Sequence, residues 1–374
     1  MKRNFVWSLS VLVAFALFGC TMDVSQPSGV TPLPEVSSPA SPSLNANDTT
    51  PSSRPTIPVT WADLNLSGKL VYSTITAEGG NSAPQIQMLD LVTGEITTIF
   101  ASTDNAWIYY VAVSPDATKL VMSYAPPSTP GSDSGTSLFI LPLEEGATPE
   151  ILFTPSTPDD RYIQVEWAEA ESYLYFVHYN HVNQPADQLY PDYQISRIAY
   201  PGGGPEQMLE RAFWPRLSAD SSKLVYVTLD PYSGFNKLFL ANADGSNAQE
   251  LLLSGAPAEI IDAPIFSPDG ASILFSAPAP APAYQPNWLD QLLGVRIAKA
   301  HNVPSDWWSV PISGGAVTRL TQIQTIKLFA SVSPDQRYIA SLSGEGIFVM
   351  NVDGSNLRQL LFDPGVMGTL RWIQ

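Results

Sequence analysis

One short phrase returns along this chain: an apolar run, a Ser-Pro-Asp turn and a second apolar run. It reads VSPDATKLVM at residues 113–122, FSPDGASILFS at 266–276 and VSPDQRYIAS at 332–341. Looser copies start at Leu66 (LSGKLVYS), Trp167 (WAEAESYLYFV) and Leu217 (LSADSSKLVYV). Pro presets the second turn position, Asp closes a side-chain bond to the backbone beyond it, and Gly tolerates φ > 0, so each run stops and reverses. The segment after the turn is nearly continuous in apolar residues, as in Ile273-Leu274-Phe275 and Leu224-Val225-Tyr226-Val227. That is the pattern of a short strand covered on both faces.

A second phrase follows each first one, typified by LFLANADGSNAQELLL at 238–253 and IFVMNVDGSNLRQLLF at 347–362. Asp244-Gly245 and Asp353-Gly354 are reverse-turn dipeptides between β-prone runs. Two hairpins per repeat make a four-stranded unit. Equivalent turn positions fall at Ser67, Ser114, Ala168, Ser218, Ser267 and Ser333, about every 50 residues, which is near the period of propeller blades. Four-stranded sheets set radially cover one another's faces and leave only short edges. The expectation is an all-β, six-bladed β-propeller of four-stranded antiparallel blades over residues 59–374. Its blades lie near 64–100, 106–153, 161–209, 213–253, 261–321 and 327–362. Residues 369–374 match the strand that precedes the turn elsewhere, with no turn after them. They are expected to close the ring as the innermost strand of blade one; the competing reading gives that place to residues 64–66.

The SPDG and DGSN phrases resemble those of TolB-type propeller repeats, relatives of the WD repeats, from about residue 64 to the end. They are sharp in blades two, four, five and six and degenerate in one and three. TolB carries a separate α/β domain before its propeller, and this chain has no corresponding segment. Similar propellers precede the hydrolase domain of prolyl oligopeptidase relatives, but no G-x-S-x-G elbow is present. The resemblance therefore implies the fold, with neither a Tol-system role nor peptidase activity.

The front end suggests an address. Lys2 and Arg3 precede an apolar stretch over residues 5–18, and Leu17-Phe18-Gly19-Cys20 closes it. This resembles a bacterial lipobox, so residues 1–19 are expected to be a signal peptide and Cys20 the lipidated residue, anchoring the protein to a membrane of the cell envelope. Cys20 is the single cysteine, which rules out an internal disulfide. Residues 20–58 are rich in Ser, Pro and Thr and are expected to form a disordered tether with a reach of about 35 Å.

The chain holds 35 acidic against 18 basic residues, a formal net charge of −17. Charge of that sign repels nucleic acid and anionic headgroups, so no nucleic-acid partner is expected.

In a propeller the loops between strands two and three of each blade share one face with the connections between blades, opposite the SPDG and DGSN turns. The long excursions, residues 125–136, 178–193, 230–235 and 278–307, all fall there. Loops on a rigid scaffold concentrate binding residues. Tyr179, Tyr190, Tyr193, Tyr232, Tyr284, Trp288, Trp307 and Trp308 crowd these excursions and are the candidate contacts for a protein or glycan partner. Residues 287–297 have helical apolar spacing, expected of a cap on blade five. All three histidines, His178, His181 and His301, lie in the same excursions. With Asp187 or Asp306 they offer nitrogen and oxygen ligands for a transition metal, as in some polysaccharide lyases with related propellers. Arg161, Arg216 and Arg371 fall in or near innermost strands, positioned to line the channel and meet an anion or to neutralise nearby carboxylates.

Two function classes follow. The first is a noncatalytic, lipid-anchored envelope propeller that needs no cofactor and binds a protein or glycan through its variable face. The alternative is a metal-assisted lyase or hydrolase of extracellular saccharides working at the channel mouth.

Overall fold

The computed structural model describes residues 52–53, 64–78, 81–102, 106–126, 135–168, 170, 172–180, 182, 184–255, 260–280 and 303–374. The expected signal peptide with Cys20, most of the expected tether and the expected blade-five cap fall outside these residues.

Six four-stranded antiparallel sheets form the β-propeller. From the innermost strand outwards, blade two is Trp107–Val113, Lys119–Ala125, Ser137–Pro142 and Glu150–Phe153. Blade three is Asp160–Trp167, Tyr173–Asn180, Gln194–Ala199 and Glu206–Glu210. Blade four is Ala212–Leu217, Lys223–Leu229, Asn236–Asn242 and Gln249–Glu250. Blade five is Asp262–Phe266, Ser272–Pro278, Ser305–Pro311 and Thr318–Arg319. Blade six is Phe329–Val332, Tyr338–Ser343, Gly346–Asn351 and Arg358–Phe362.

Blade one takes Lys69–Glu78, Asn81–Asp90 and Ile96–Ala101 from the start of the domain and its innermost strand, Val366–Ile373, from the end. Trp372 pairs with Leu70 and Arg371 with Val71, the register that Val113 and Ala112 take in blade two. Residues 64–66 do not join the sheet. Gly368 sits at φ 70 in a bulge of this strand, where a Cβ would collide with the Tyr109 carbonyl oxygen of blade two, so only glycine lets the two strands come this close.

The repeated turns owe their residue types to hydrogen bonds. In blades two, four, five and six the turn Ser donates its hydroxyl to the Asp two residues on at 2.6 Å, as Ser114–Asp116, Ser218–Asp220, Ser267–Asp269 and Ser333–Asp335. The DGSN turns use the same device from the other side: Ser246 donates N–H and O–H to Asp244, and Ser355 to Asp353. Bonds from these serines hold the carboxyls of Asp116, Asp244, Asp269 and Asp353 below the ordinary range, and that of Asp220 at about 2. A carboxyl lowered in the folded state stabilises it above the unfolded pKa of about 3.9, and that contribution is lost as pH falls through the folded value. The melting temperature is therefore expected to be flat from pH 7 to about 5 and to fall between about pH 4 and 2. Asp220→Ala should melt below wild type at pH 7 and approach it near pH 2; an unchanged gap in melts across that range would refute the linkage.

Side-chain bonds stitch each blade to the next. Thr369 of blade one bridges the N–H and C=O of Val111 in blade two. Trp167 Nε1 donates to Ala112 C=O across blades two and three. Gln164 of blade three accepts from Trp214 N–H of blade four. Asn236 brackets both backbone groups of Ile261 across blades four and five. Trp307 Nε1 reaches Ser341 Oγ in blade six, and Ser331 Oγ accepts from Trp372 N–H to return to blade one. Every one of these donors or acceptors is buried, where an unmatched polar group would cost about 1–3 kcal/mol.

The axis of the ring is filled. Tyr110, Trp214 and Phe329 come from the innermost strands of blades two, four and six, which are not neighbours. Their rings nonetheless meet, with centroids at 5.5 Å for Tyr110–Trp214, 5.1 Å for Trp214–Phe329 and 6.4 Å for Tyr110–Phe329. Contact among strands from alternate blades is possible only at the centre of the channel. Trp214 has φ 57 and lies in a bulge opposite Tyr226, which turns its indole to the axis; it is 1% exposed and donates Nε1–H to Asp262 of blade five at 3.0 Å.

Candidate functional site

The face that carries the blade-to-blade connections and the strand-two to strand-three loops presents aromatic side chains across blades two to four. Trp107 opens the innermost strand of blade two, is 49% exposed, and stacks on Tyr109 at 6.2 Å. Tyr179 ends the second strand of blade three and packs on Tyr193 at 5.1 Å. Tyr193 in turn touches Phe213 at 5.7 Å, and Phe213 touches Trp214 of the axial plug. Tyr179 and Tyr193 therefore belong to an aromatic series that runs through Phe213 to the axis, which fixes these two rings with little rotamer entropy left to lose on binding.

Blade four extends this arc. Asp230 accepts N–H bonds from Tyr232 and Ser233 in a tight turn, which leaves Tyr232 and Phe235 about half exposed, at 49% and 54%. The blade-three excursion leans on it: Leu189 and Tyr190 N–H both donate to Pro231 C=O, at 2.7 and 3.2 Å, and Tyr190 lies against Gly234. Burial raises the phenol pKa values of Tyr179, Tyr190 and Tyr193 above the ordinary tyrosine value. All three remain neutral at physiological pH, suited to hydrogen bonding and apolar contact rather than to acting as bases.

Beside the arc, His178, Tyr179, Asn180, Gln184, Pro185, Asp192 and Gln194 line a cleft of about 140 Å³. Asp160 anchors its floor, taking bonds from Asn180 Nδ2 at 2.9 Å and Thr157 Oγ1 at 3.0 Å, with His178 Nε2 at 3.2 Å. Burial opposes the charge on Asp160, but the bonds from Asn180 and Thr157 and the adjacent His178 imidazole outweigh it and hold its carboxyl below the ordinary range. The Tyr162 ring edge meets the imidazole at 5.2 Å.

The structure sorts the residues expected from the sequence. Tyr179, Tyr190, Tyr193 and Tyr232 gather on one face of blades three and four. Tyr284 and Trp288 lie outside the described residues. Trp307 and Trp308 do not reach the surface, at 0% and 6% exposed, because the third strand of blade five already begins at Ser305, not after Trp307. Trp307 points toward blade six, while Trp308 bonds Ala277 C=O and lies under the Arg319 guanidinium.

Of the three histidines only His178 is described. Among the described residues no group of three His, Cys, Asp or Glu side chains converges to hold a metal. Asp306 is fully buried and committed to Arg319 at 2.6 Å, while Asp187 is exposed. Arg216 is paired with Glu166 of blade three at 2.5 Å, and Arg371 lies in the closing strand. Sequence reasoning missed Trp107, Tyr109 and Phe235: the first two adjoin an apolar run and read as strand interior, while Phe235 ends the 230–235 excursion beside the third strand and was passed over for Tyr232.

No family model and no curated protein sequence matches the chain. Among solved structures it is similar to TolB from Acinetobacter baumannii, with a TM-score of 0.56 at 15% identity over 82% of this chain and 66% of that one. It is also similar to a putative TolB from Agrobacterium tumefaciens, with a TM-score of 0.55 at 16% identity over 81% of this chain and 99% of that one. The chain thus spans slightly less than two thirds of the Acinetobacter protein. At these identities the likeness is one of fold: a six-bladed propeller distantly related to the TolB-like propellers.

Proposed function

We propose that this is a noncatalytic cell-envelope propeller, lipid-anchored through Cys20, that binds a protein or glycan partner through the aromatic face of blades two to four. The observation that carries the reading is the half exposure of Trp107, Tyr232 and Phe235 on the loop-bearing face of the propeller. Aromatic side chains of this size are costly to leave in water unless a partner covers them, and Trp and Tyr dominate the energetics of interfaces. The signal-like segment ending at Cys20 supports the envelope address.

The test is binding of the purified protein to envelope polysaccharide and to envelope proteins, wild type against Trp107→Ala and Tyr232→Ala. Each substitution is expected to weaken binding about 10-fold or more while leaving the melting temperature within about 2 °C, since both side chains are half in solvent. Binding that is indifferent to both changes would refute the assignment of this face. Retained binding after mutation of the opposite, SPDG-turn face is the matching control.

A further inference from the structure

The cleft beside the aromatic arc is a preformed space whose polar groups are only partly used by the protein. His178 pairs with Gln194 of the third strand and with Tyr162 of the innermost one, and Asn180 pairs with Asp160 two positions on. Directly paired residues, and those two apart, share one side of a sheet. On that side the Tyr162 ring stacks on Phe153 of blade two at 5.3 Å, so His178, Asn180 and Gln194 lie on the side of blade three that faces blade two. The excursion that walls the cleft is tied down along its length. Val182 N–H donates to Asn180 Oδ1 at 3.1 Å, Gln188 N–H to Pro185 C=O at 3.0 Å and Gln184 Nε2 to Gln188 C=O at 2.8 Å, and its far end is held by Pro231 of blade four. A wall bonded in this way costs little to order when a ligand arrives.

Size and chemistry restrict what can enter. At about 140 Å³ the cleft is roughly half as large as the smallest drug-sized pockets, ~300 Å³, which limits the occupant to a single ring or side chain. His178 Nε2 is shut off from solvent 3.2 Å from Asp160, yet 31% of the side chain is exposed, so it is the rest of the side chain that lines the cleft. Asn180 is spent on Asp160 and Val182. Among the described residues, neither the Asp192 carboxylate nor the Gln194 side-chain amide meets a hydrogen-bond partner. These open groups include acceptors, the oxygens of Asp192 and Gln194, and donors, the Gln194 amide N–H groups. A ligand that satisfies both kinds must itself donate and accept, as a hydroxyl does. An ammonium group only donates, whereas a carboxylate or phosphate only accepts. An anion would also meet Asp192 with no Lys or Arg among the described lining residues to offset it.

We infer that this cleft takes one uncharged sugar unit of a glycan, whose hydroxyls donate to the Asp192 carboxylate and accept from the Gln194 amide, with Pro185 as the apolar wall. The inference rests on the reading of the loop-bearing face as the binding face, and it selects the glycan over the protein partner.

The experiment is titration calorimetry of the full chain with glucose, galactose, mannose and N-acetylglucosamine, with glucosamine and glucuronate as cationic and anionic arms at matched ionic strength. At least one neutral sugar should bind one to one, with a Kd of roughly 0.1–10 mM, and more tightly than both charged arms. Asp192→Ala and Gln194→Ala should each weaken that sugar about 5- to 10-fold through the loss of a hydrogen bond. The melting temperature should stay within about 2 °C, because neither group loses a partner in the protein. Should Gln194→Ala, within a strand, fail to fold, Asp192→Ala on the exposed excursion carries the test alone. The inference is overturned if no neutral sugar binds up to about 0.1 M, if binding is undiminished in the folded variants, or if glucosamine or glucuronate binds more tightly than every neutral sugar. Absence of sugar binding with the Trp107- and Tyr232-dependent partner binding intact removes this inference alone. Sugar binding in the cleft with partner binding indifferent to both aromatics removes the aromatic face alone.

Discussion

Removing residues 366–374 is expected to abolish the cooperative thermal transition. That segment supplies the innermost strand of blade one and buries Val366, Leu370, Trp372 and Ile373, at 0%, 3%, 4% and 9% exposed. Fully burying a large apolar side chain contributes about 1.5–3 kcal/mol, so four amount to about 6–12 kcal/mol. The net stability of a domain is only about 5–15 kcal/mol. Loss of the strand also unpairs the inner edge of Lys69–Glu78 and removes both Thr369 bonds to Val111 and the Trp372 bond to Ser331. Circular dichroism and melting of the shortened chain provide the check. A sharp transition near the wild-type temperature would show that the ring does not depend on this strand.

Trp214→Ala should be the most damaging single substitution. The indole is 1% exposed, contacts Tyr110, Phe213 and Phe329, and donates to Asp262. Truncating a buried aromatic costs about 3–5 kcal/mol through lost burial and the cavity it leaves. In a domain of this size that lowers the melting temperature by about 10 °C. Trp214→Phe keeps a ring on the axis and forfeits the Nε1–H bond, so a loss of about 1–2 kcal/mol is expected. A cost below about 1 kcal/mol for the alanine variant would mean that neighbouring rings close over the gap.

Much of the scaffold could be read from residues because its turns demand particular ones. The Ser-to-Asp bond at 2.6 Å explains why blades two, four, five and six spell the motif clearly. Blades one and three reverse without it: Ser67-Gly68 and Ala168-Glu169 offer no matching pair. The closing strand was legible through Arg371-Trp372, which repeats the pattern of Glu166-Trp167. What lay beyond reach depended on bulges and on strand starts. Nothing in Phe213-Trp214-Pro215 announces a residue at φ 57 that carries its side chain to the axis. Ser305-Asp306 reads as loop, and the burial of Asp306 becomes tolerable through Arg319 and the Gln324 N–H, partners that neither position reveals. Trp307 and Trp308 were consequently placed one element too early. The surface role of Trp107 turned on its being the first residue of a strand, a boundary that local pattern defines poorly. Cys20, His181, Tyr284, Trp288 and His301 fall outside the described residues, so their expected roles stand as proposals.

The pairing of Lys69–Glu78 with Val366–Ile373 joins stretches of chain nearly three hundred residues apart. Closing so long a span costs about 3 kcal/mol more than closing a ten-residue hairpin, because loop entropy grows with the logarithm of length. The ring should therefore assemble as an open arc whose final step is the slow one, and a circular permutant that makes this contact local should refold faster than the native order while reaching much the same stability.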